Sequence, residues 1–284
     1  MARKRNSERL AAPTPENTSV AAATLPTQDL LSFVTPTEFV ELPSQGRFYA
    51  EESSLAGVET VELRYMTAKE EDILTSESLL RQGIALDRML QALLVDKTLK
   101  LDDFLIGDKN ALIVAARISG FGAEYATRIV CPDCGLTNET EFDLDTLSLR
   151  HVTDIPEEIQ ETDDGTFMFD LPITGVTVEV CLLTSGNEQR LVAAAERKKK
   201  LKLPDTKSTD LLKAVITSLN GVDDRSMIDR FVDLMPAKDS RHLRRMYEHI
   251  KPDIDLSHEF SCTECAYDGK VVMPLTAEFF WPSA

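Results

Sequence analysis

The feature that most restricts this chain is a pair of Cys-x2-Cys motifs: Cys131 and Cys134 in CPDCG, Cys262 and Cys265 in CTEC. Two residues between ligands let both thiolates of a pair face one ion from a tight turn. Two such pairs in one chain point to a tetrahedral four-cysteine site. Gly135 suits the exit of the first turn, where a positive φ is needed. Each pair supplies only two ligands, so the economical solution gives both pairs to a single metal. Thiolates at about 2.3 Å favour zinc, and a tetrahedron filled by protein leaves no position for water. The expected site is therefore structural, with Cys131, Cys134, Cys262 and Cys265 as ligands to one Zn2+ per chain. Metal-free thiols, an iron–sulfur cluster and thiol redox chemistry are the competing readings. CPDC lacks the βαβ setting of a thioredoxin-like motif. His258, four residues before Cys262, reads as a strand residue near the site. Cys181, with no partner at ligand spacing, reads as a core thiol.

A search for internal repeats extends the pairing of the knuckles upstream. VELRYMT (61–67) and VEVCLLT (178–184) are both β-type runs ending in a threonine, Thr67 or Thr184. Glu71 or Glu188 stands four positions on, and Leu74 or Leu191 three further. Threonine at a strand end with acids in the next turn is an N-cap signature. ALDRMLQALLVD (85–96) and STDLLKAVITSLNG (208–221) are predicted to be helices. GDKNALIVAARI and KDSRHLRRMYEHI follow, with Asp108 and Asp239 as N-cap candidates. Leu243, Met246, Tyr247 and Ile250 form one apolar stripe at helical spacing, whereas 111–116 is apolar almost all round and should be more buried. Asp108 to Cys131 and Asp239 to Cys262 both span 23 positions. The predicted fold is therefore α+β: two diverged tandem repeats, each strand–helices–strand–zinc knuckle–strand, joined by one shared zinc-ribbon-like site. The repeated segments run roughly from 43 to 148 and from 166 to 281. As domains, these give a first half over 29–150, an acidic, solvated linker over 151–165, and a second half over 166–284.

Composition removes several classes. The chain has 48 acidic and 31 basic residues, a net charge of −17, which repels duplex DNA unless a local basic patch intervenes. Aromatics at 6% disfavour a stacking platform for single strands. No run of 18 apolar residues and no signal-type segment is present, so a soluble cytosolic protein is expected. Residues 1–28 begin MARKRNSER and continue small, polar and proline-broken; they read as disordered or as an arm that orders on a partner. LPSQGRFY (42–49) reads as a loop. ERKKKLK (196–202) is the one dense basic run of the body and reads as a solvated helix end, with phosphate binding the sharper alternative. Arg241, Arg244 and Arg245 are expected on the surface. No phosphate loop, nucleophile elbow or HExxH motif occurs, and nothing marks a catalytic site. Phe279, Phe280 and Trp281 read either as packing beneath the second knuckle or as a partner-docking tail.

The order LPSQGRFY, MTAKEEDIL, GDKNALIVAARISGFGAEY, CPDCG, DSRHLRRMYEHIKPDID, CTEC and PLTAEFFWP resembles the base plate protein family of T-even-like contractile-tailed phages. The resemblance runs from about residue 38 to the C-terminus, and the order of the motifs carries it. It implies a non-enzymatic role in assembling the central hub of the tail baseplate. The implied partners are other hub proteins and the tape-measure protein, met in the host cytoplasm during assembly and in the virion tail. Docking would use the 1–28 arm and Phe279, Phe280 and Trp281. Two rival readings remain at this point: a zinc-ribbon nucleic-acid-binding or transcription-associated protein, and a tail assembly chaperone absent from the mature virion.

Overall fold

Period-2 alternation and threonine caps build the first half. The computed structural model describes residues 35–153, 155–275 and 277–280. The 1–28 arm and Trp281 lie outside the described residues. Strands β1 (Thr37–Glu41) and β2 (Thr60–Arg64) pair antiparallel with Val40 opposite Val61. Their alternation turns Val40, Val61 and Leu63 inward and leaves Phe39 outside. Helix α1 (Ala68–Thr75) starts at Thr67, whose backbone N–H and hydroxyl donate to Glu70 Oε2 at 3.1 and 2.6 Å. After α2 (Glu77–Gln82), α3 (Ala85–Leu93) buries Ala85, Met89, Leu90 and Leu93 along one face. Helix α4 (Ile106–Phe121) is buried nearly all round from Ala111 to Ala116, in keeping with its composition. The hairpin β3 (Glu124–Val130) and β4 (Thr137–Asp143) follows, then β5 (Leu149–Arg150).

The second half opens on a four-stranded antiparallel sheet. Its strands are β6 (Gln160–Glu161), β7 (Phe167–Asp170), β8 (Thr177–Val180) and β9 (Ile216–Leu219), in that order. Between β8 and β9 run α5 (Ser185–Lys200) and α6 (Lys207–Val215). Thr184 caps α5 as Thr67 caps α1: its N–H and hydroxyl donate to Asn187 Oδ1 at 3.0 and 2.9 Å. In both halves the reciprocal partner is the residue three on, the capping-box position. Helices α7 (Arg225–Leu234) and α8 (Ala237–Ile250) follow. The predicted stripe of Leu243, Met246, Tyr247 and Ile250 is buried. Strand β10 (Asp253–Ile254) pairs with β5, and the hairpin β11 (Ser257–Ser261) and β12 (Asp268–Val272) completes the order.

Four expectations need correction. The run 216–221 is not helical: Ile216 and Leu219 are buried, and β9 adds to β8 with Ile216 opposite Val180. Cross-strand packing outweighs the helical pattern there. In the first half the equivalent position after α3 makes a single bridge, Leu63 to Leu94. Asp108 and Asp239 are not N-caps; each is the third residue of its helix, fully buried. Asp108 accepts from the Ser44 N–H at 2.9 Å, the Ser44 hydroxyl at 2.6 Å and the Tyr49 hydroxyl at 2.5 Å. Asp239 accepts from the Ile173 and Thr174 N–H groups at 2.8 and 3.0 Å. Each carboxylate thus fastens the loop of its half's strand pair to the start of the last helix, where the helix dipole favours it. Third, the 151–165 segment is not simply solvated. It supplies β6 and buries Val152 and Ile159. The fourth concerns the C-terminal aromatics. Phe279 and Phe280 are fully buried in a 3-10 turn over Ala277–Phe280, so neither is a docking surface. The turn lets adjacent rings enter one core, with Phe279 lying 4.9 Å from Tyr125, so packing is the reading that holds.

The described residues from Pro36 to Phe280 form one compact unit containing two apolar cores. The first gathers β1–β2, α3, α4 and the first hairpin. The second gathers β7–β9, α6, α7 and α8. From Ile254 onward the chain leaves the second core and packs in the first, through Phe260, Val271, Met273, Phe279 and Phe280. Fully buried Arg117 on α4 fastens that return, donating from Nε to Phe279 O at 3.1 Å and from its other nitrogens to Gly122 O and Glu124 O.

Two predictions test this frame. Asp239→Ala strips two loop N–H groups of their acceptor and should cost roughly 2–3 kcal/mol in urea unfolding. Loss of less than about 0.5 kcal/mol would show the loop is held otherwise. Buried Glu70 is held down at about 2, from an ordinary 4.5, chiefly by hydrogen bonds from the Arg64 guanidinium, against burial and aided by Thr67. Because the folded value is depressed, this stabilisation is present above pH 4.5 and fades as the pH falls towards 2. It should reach at most about 3 kcal/mol, less the screening of half-buried Arg64. Glu70→Gln should flatten the acid limb of the stability–pH curve.

Candidate metal centre

The two hairpins present their cysteines in the same way. Strand β3 turns Tyr125 and Ile129 inward, β4 turns Asn138 and Phe142 inward, and Tyr125 faces Phe142 across the pair. The turn between them closes through the Cys131 N–H, which donates to Leu136 O at 2.8 Å; Gly135 sits at φ +73°. In the second hairpin the Cys262 N–H donates to Tyr267 O at 2.9 Å, again five residues on. Each knuckle therefore aims its two sulfurs in one direction, and the chain's return to the first core brings the two knuckles together.

The four sulfurs lie within 4.8 Å of one another. Cys131 Sγ is 3.7 Å from Cys265 Sγ, and Cys134 Sγ is 3.8 Å from Cys262 Sγ. Four sulfurs at about 2.3 Å from a central ion stand about 3.8 Å apart along a tetrahedron's edges. A disulfide would need about 2.05 Å, so these are free thiols at ligand spacing. Cys131 and Cys262 are buried, Cys265 is half-buried and Cys134 exposed. The donor set and its spacing fit a metal ion, and the four cysteines can bind one.

The electrostatics favour the same occupant. Burial works against the Cys262 thiolate, yet backbone N–H groups of Glu264 and Cys265 hold it at about 6, and the Glu264 N–H lies 3.4 Å from the sulfur. For Cys265 the Tyr267 N–H favours the thiolate, but desolvation and the neighbouring Cys262, Cys134 and Cys131 sulfurs push it up to about 12. The Cys262 thiolate is thus easily formed, and that of Cys265 is opposed by burial and the crowding of sulfurs. A central cation removes that opposition.

Asn138 is the supporting residue that the motif spacing did not reveal. It is buried on β4, opposite Ile129, and its Oδ1 accepts from the Thr263 N–H at 2.9 Å and the Thr263 hydroxyl at 2.8 Å. Its Nδ2 lies 3.5 Å from Cys262 Sγ. One amide from the first hairpin therefore orients the second knuckle. The available signal was a polar residue at an inward-facing position of the period-2 pattern, four residues after Cys134.

The other candidates fall outside this centre. His258 packs edge-on against Phe142 at 4.6 Å and is not among the grouped ligands. Cys181 follows β8 and is half-buried rather than a full core residue; burial pushes its thiol up. Arg241, Arg244 and Arg245 are exposed as expected. Lys109 on α4 is buried with its Nζ 2.5 Å from Glu188 Oε2 and 3.6 Å from Asp87 Oδ1, so its charge is consumed internally. Among the described residues, no helix is long and apolar enough to cross a membrane.

Mixed α/β architecture with two equivalent cysteine knuckles meeting at one four-sulfur centre defines a protein whose fold can be stapled by a metal. The chain matches the family model described as T4 bacteriophage base plate protein over residues 35–281, and it belongs to that family. Its role is accordingly in the phage tail baseplate. No curated protein and no solved structure matches it.

Cobalt titration of the reduced protein should give one equivalent per chain with the absorption of a tetrahedral four-thiolate site, and Cys262→Ser should abolish that spectrum. Asn138→Ala should leave the ligand set intact and weaken metal affinity about 10–100-fold. An unchanged affinity would remove Asn138 from the site.

Proposed function

We propose that this protein is a non-enzymatic component of the baseplate hub, acting in tail assembly and stabilised by one structural zinc. The observation that carries the reading is the family match along 35–281, which spans both halves and both knuckles. Zinc is favoured because four thiolates at tetrahedral spacing saturate its coordination and leave no open position for substrate or water. A closed site of this kind suits a staple rather than a catalyst. The proposed partners are other hub proteins and the tape-measure protein, met first in the host cytoplasm, with the chain then remaining in the virion tail.

The body is further proposed to be a diverged tandem duplication. The two capping threonines, the two buried aspartates that seize a strand-pair loop, and the shared 23-residue step from aspartate to cysteine all support it. Two related faces on one rigid body suit a component that bridges rings of different symmetry.

The deciding experiment combines a gene knockout with complementation and mass spectrometry of purified virions. Expected are tail-less or baseplate-defective particles in the knockout, rescue by the wild type, and poor rescue by Cys131→Ser at elevated temperature. The chain should appear in virions at fixed stoichiometry with zinc. A tail defect with no chain in virions would establish the chaperone alternative, and normal tails in the knockout would sink the proposal altogether.

A further inference from the structure

The four sulfurs are arranged for a reaction as well as for a metal. Two sulfur contacts run across the centre: Cys134 Sγ lies 3.8 Å from Cys262 Sγ, and Cys131 Sγ lies 3.7 Å from Cys265 Sγ. Each contact joins a sheltered sulfur to a more accessible one, buried Cys262 to exposed Cys134 and buried Cys131 to half-buried Cys265. Closing either pair to a disulfide of about 2.05 Å moves each sulfur by roughly 1 Å. The turns hold the knuckles in place for this. In the first, the Cys131 N–H donates to Leu136 O at 2.8 Å and the Gly135 N–H to Cys131 O at 3.0 Å, so both of its sulfurs face the other knuckle. Asn138 orients the second, accepting from the Thr263 N–H with its Nδ2 3.5 Å from Cys262 Sγ.

Access singles out one of the four. Cys134 lies in an exposed run over 132–137, whereas Cys131 and Cys262 are buried. A cysteine that ligates a metal does so as its thiolate, which is also the form that attacks an oxidant. Exposed Asp133 precedes Cys134, exposed Glu264 stands in the other knuckle, and the chain carries −17 overall. Anionic oxidants such as glutathione disulfide are repelled by that field. A hydroperoxide is small and neutral, and nothing in the field holds it off.

We infer that Cys134 is a site of oxidation by hydroperoxides and that Cys262 resolves it to a disulfide across the two knuckles. With hydrogen peroxide, the Cys134 thiolate attacks one oxygen, the O–O bond breaks, hydroxide leaves, and Cys134 becomes a sulfenic acid. The Cys262 thiolate then attacks that sulfur, forming the S–S bond and expelling the sulfenic oxygen as a second hydroxide. Two electrons pass from the pair of sulfurs to the peroxide. Cys265 and Cys131 repeat the sequence with a second peroxide. Sulfurs bonded to each other no longer ligate, so a metal held by the four is released. The link nevertheless joins residues 128 apart and keeps the second hairpin on the first core. For a chain assembled in a reducing cytoplasm and then carried outside it, metal serves as the staple first and a disulfide later. That use rests on the proposed function, whereas the link rests on the sulfurs alone.

The test treats the full-length, zinc-loaded protein with hydrogen peroxide and then cleaves it after Lys and Arg without reduction. That cleavage leaves Cys131 and Cys134 in one fragment and Cys262 and Cys265 in another. Mass spectrometry should find the two fragments covalently joined within one chain, and the oxidised protein should keep the wild-type circular dichroism after zinc has left. Cys134→Ser should slow the joining about tenfold or more, and Cys181→Ser should leave its rate unchanged. In Cys262→Ser, dimedone should capture a sulfenic acid at Cys134; capture at another cysteine instead would overturn the assignment of the attacked sulfur. Separate fragments each carrying its own disulfide, chains joined to one another, or sulfinic acid without a link would each overturn the inference. Zinc release is followed in parallel with a chromogenic chelator. A protein that carries no zinc and binds none would sink the metal reading, and the fragments would still decide the link.

Discussion

The packing of the described residues from Ile254 to Phe280 turns on the meeting of two pairs of sulfurs. Cys131 and Cys134 are carried by the hairpin that follows α4, Cys262 and Cys265 by the hairpin that follows α8, and the four sulfurs close to within 4.8 Å. For that to happen the chain must leave the second core after α8 and lie down on the first. Phe260, Val271, Phe279 and Phe280 make that return favourable by burying apolar surface, at roughly 1.5–3 kcal/mol each. Arg117 makes it specific, since its guanidinium is satisfied only when the carbonyl of Phe279 arrives. The sulfur centre and the aromatic turn thus hold the same segment from its two ends.

A second constraint works at the opposite side of each helix pair. Asp108 and Asp239 are carboxylates buried at helix starts, and burial alone would disfavour their charge; for Asp108 it raises the pKa despite the hydrogen bonds. Each is tolerated because loop donors converge on it. In the first half those donors belong to the loop LPSQGRFY, which then reaches further. Arg47 bonds Val152 O and Glu161, Phe48 packs against Phe167 at 5.3 Å, and the Tyr49 hydroxyl accepts from the Leu105 N–H while donating to Asp108. Gly46 is required there, because a Cβ would lie 2.3 Å from the Val58 nitrogen and φ is +73°. A loop that sequence reading leaves as mere punctuation is therefore the connector between the two cores.

Charge divides the surface into two regimes. An acidic body, at −17 overall, repels the phosphates of a duplex. The basic end of α5, five cations and one acid over 196–202, is the exception. The family membership fixes where such a body works, and the local chemistry bears on what it touches there.

The sequence by itself determined which four cysteines meet, the hairpin form of both knuckles, the threonine caps and the apolar stripe of α8. Those features are encoded by spacing along one element, with periods of two or about 3.6 residues and fixed turn geometry. It did not determine the roles of Asp108 and Asp239, whose place at the third helical position matters through loops 64 and 66 residues away. Nor did it separate β9 from the helix before it, since Ile216 and Leu219 fit either pattern until β8 offers an edge. For Phe279 and Phe280 it left packing and docking both open, and the roles of Asn138 and Arg117 were invisible. Their partners are distant in the chain, and only tertiary packing brings a buried polar atom and its single available acceptor or donor together.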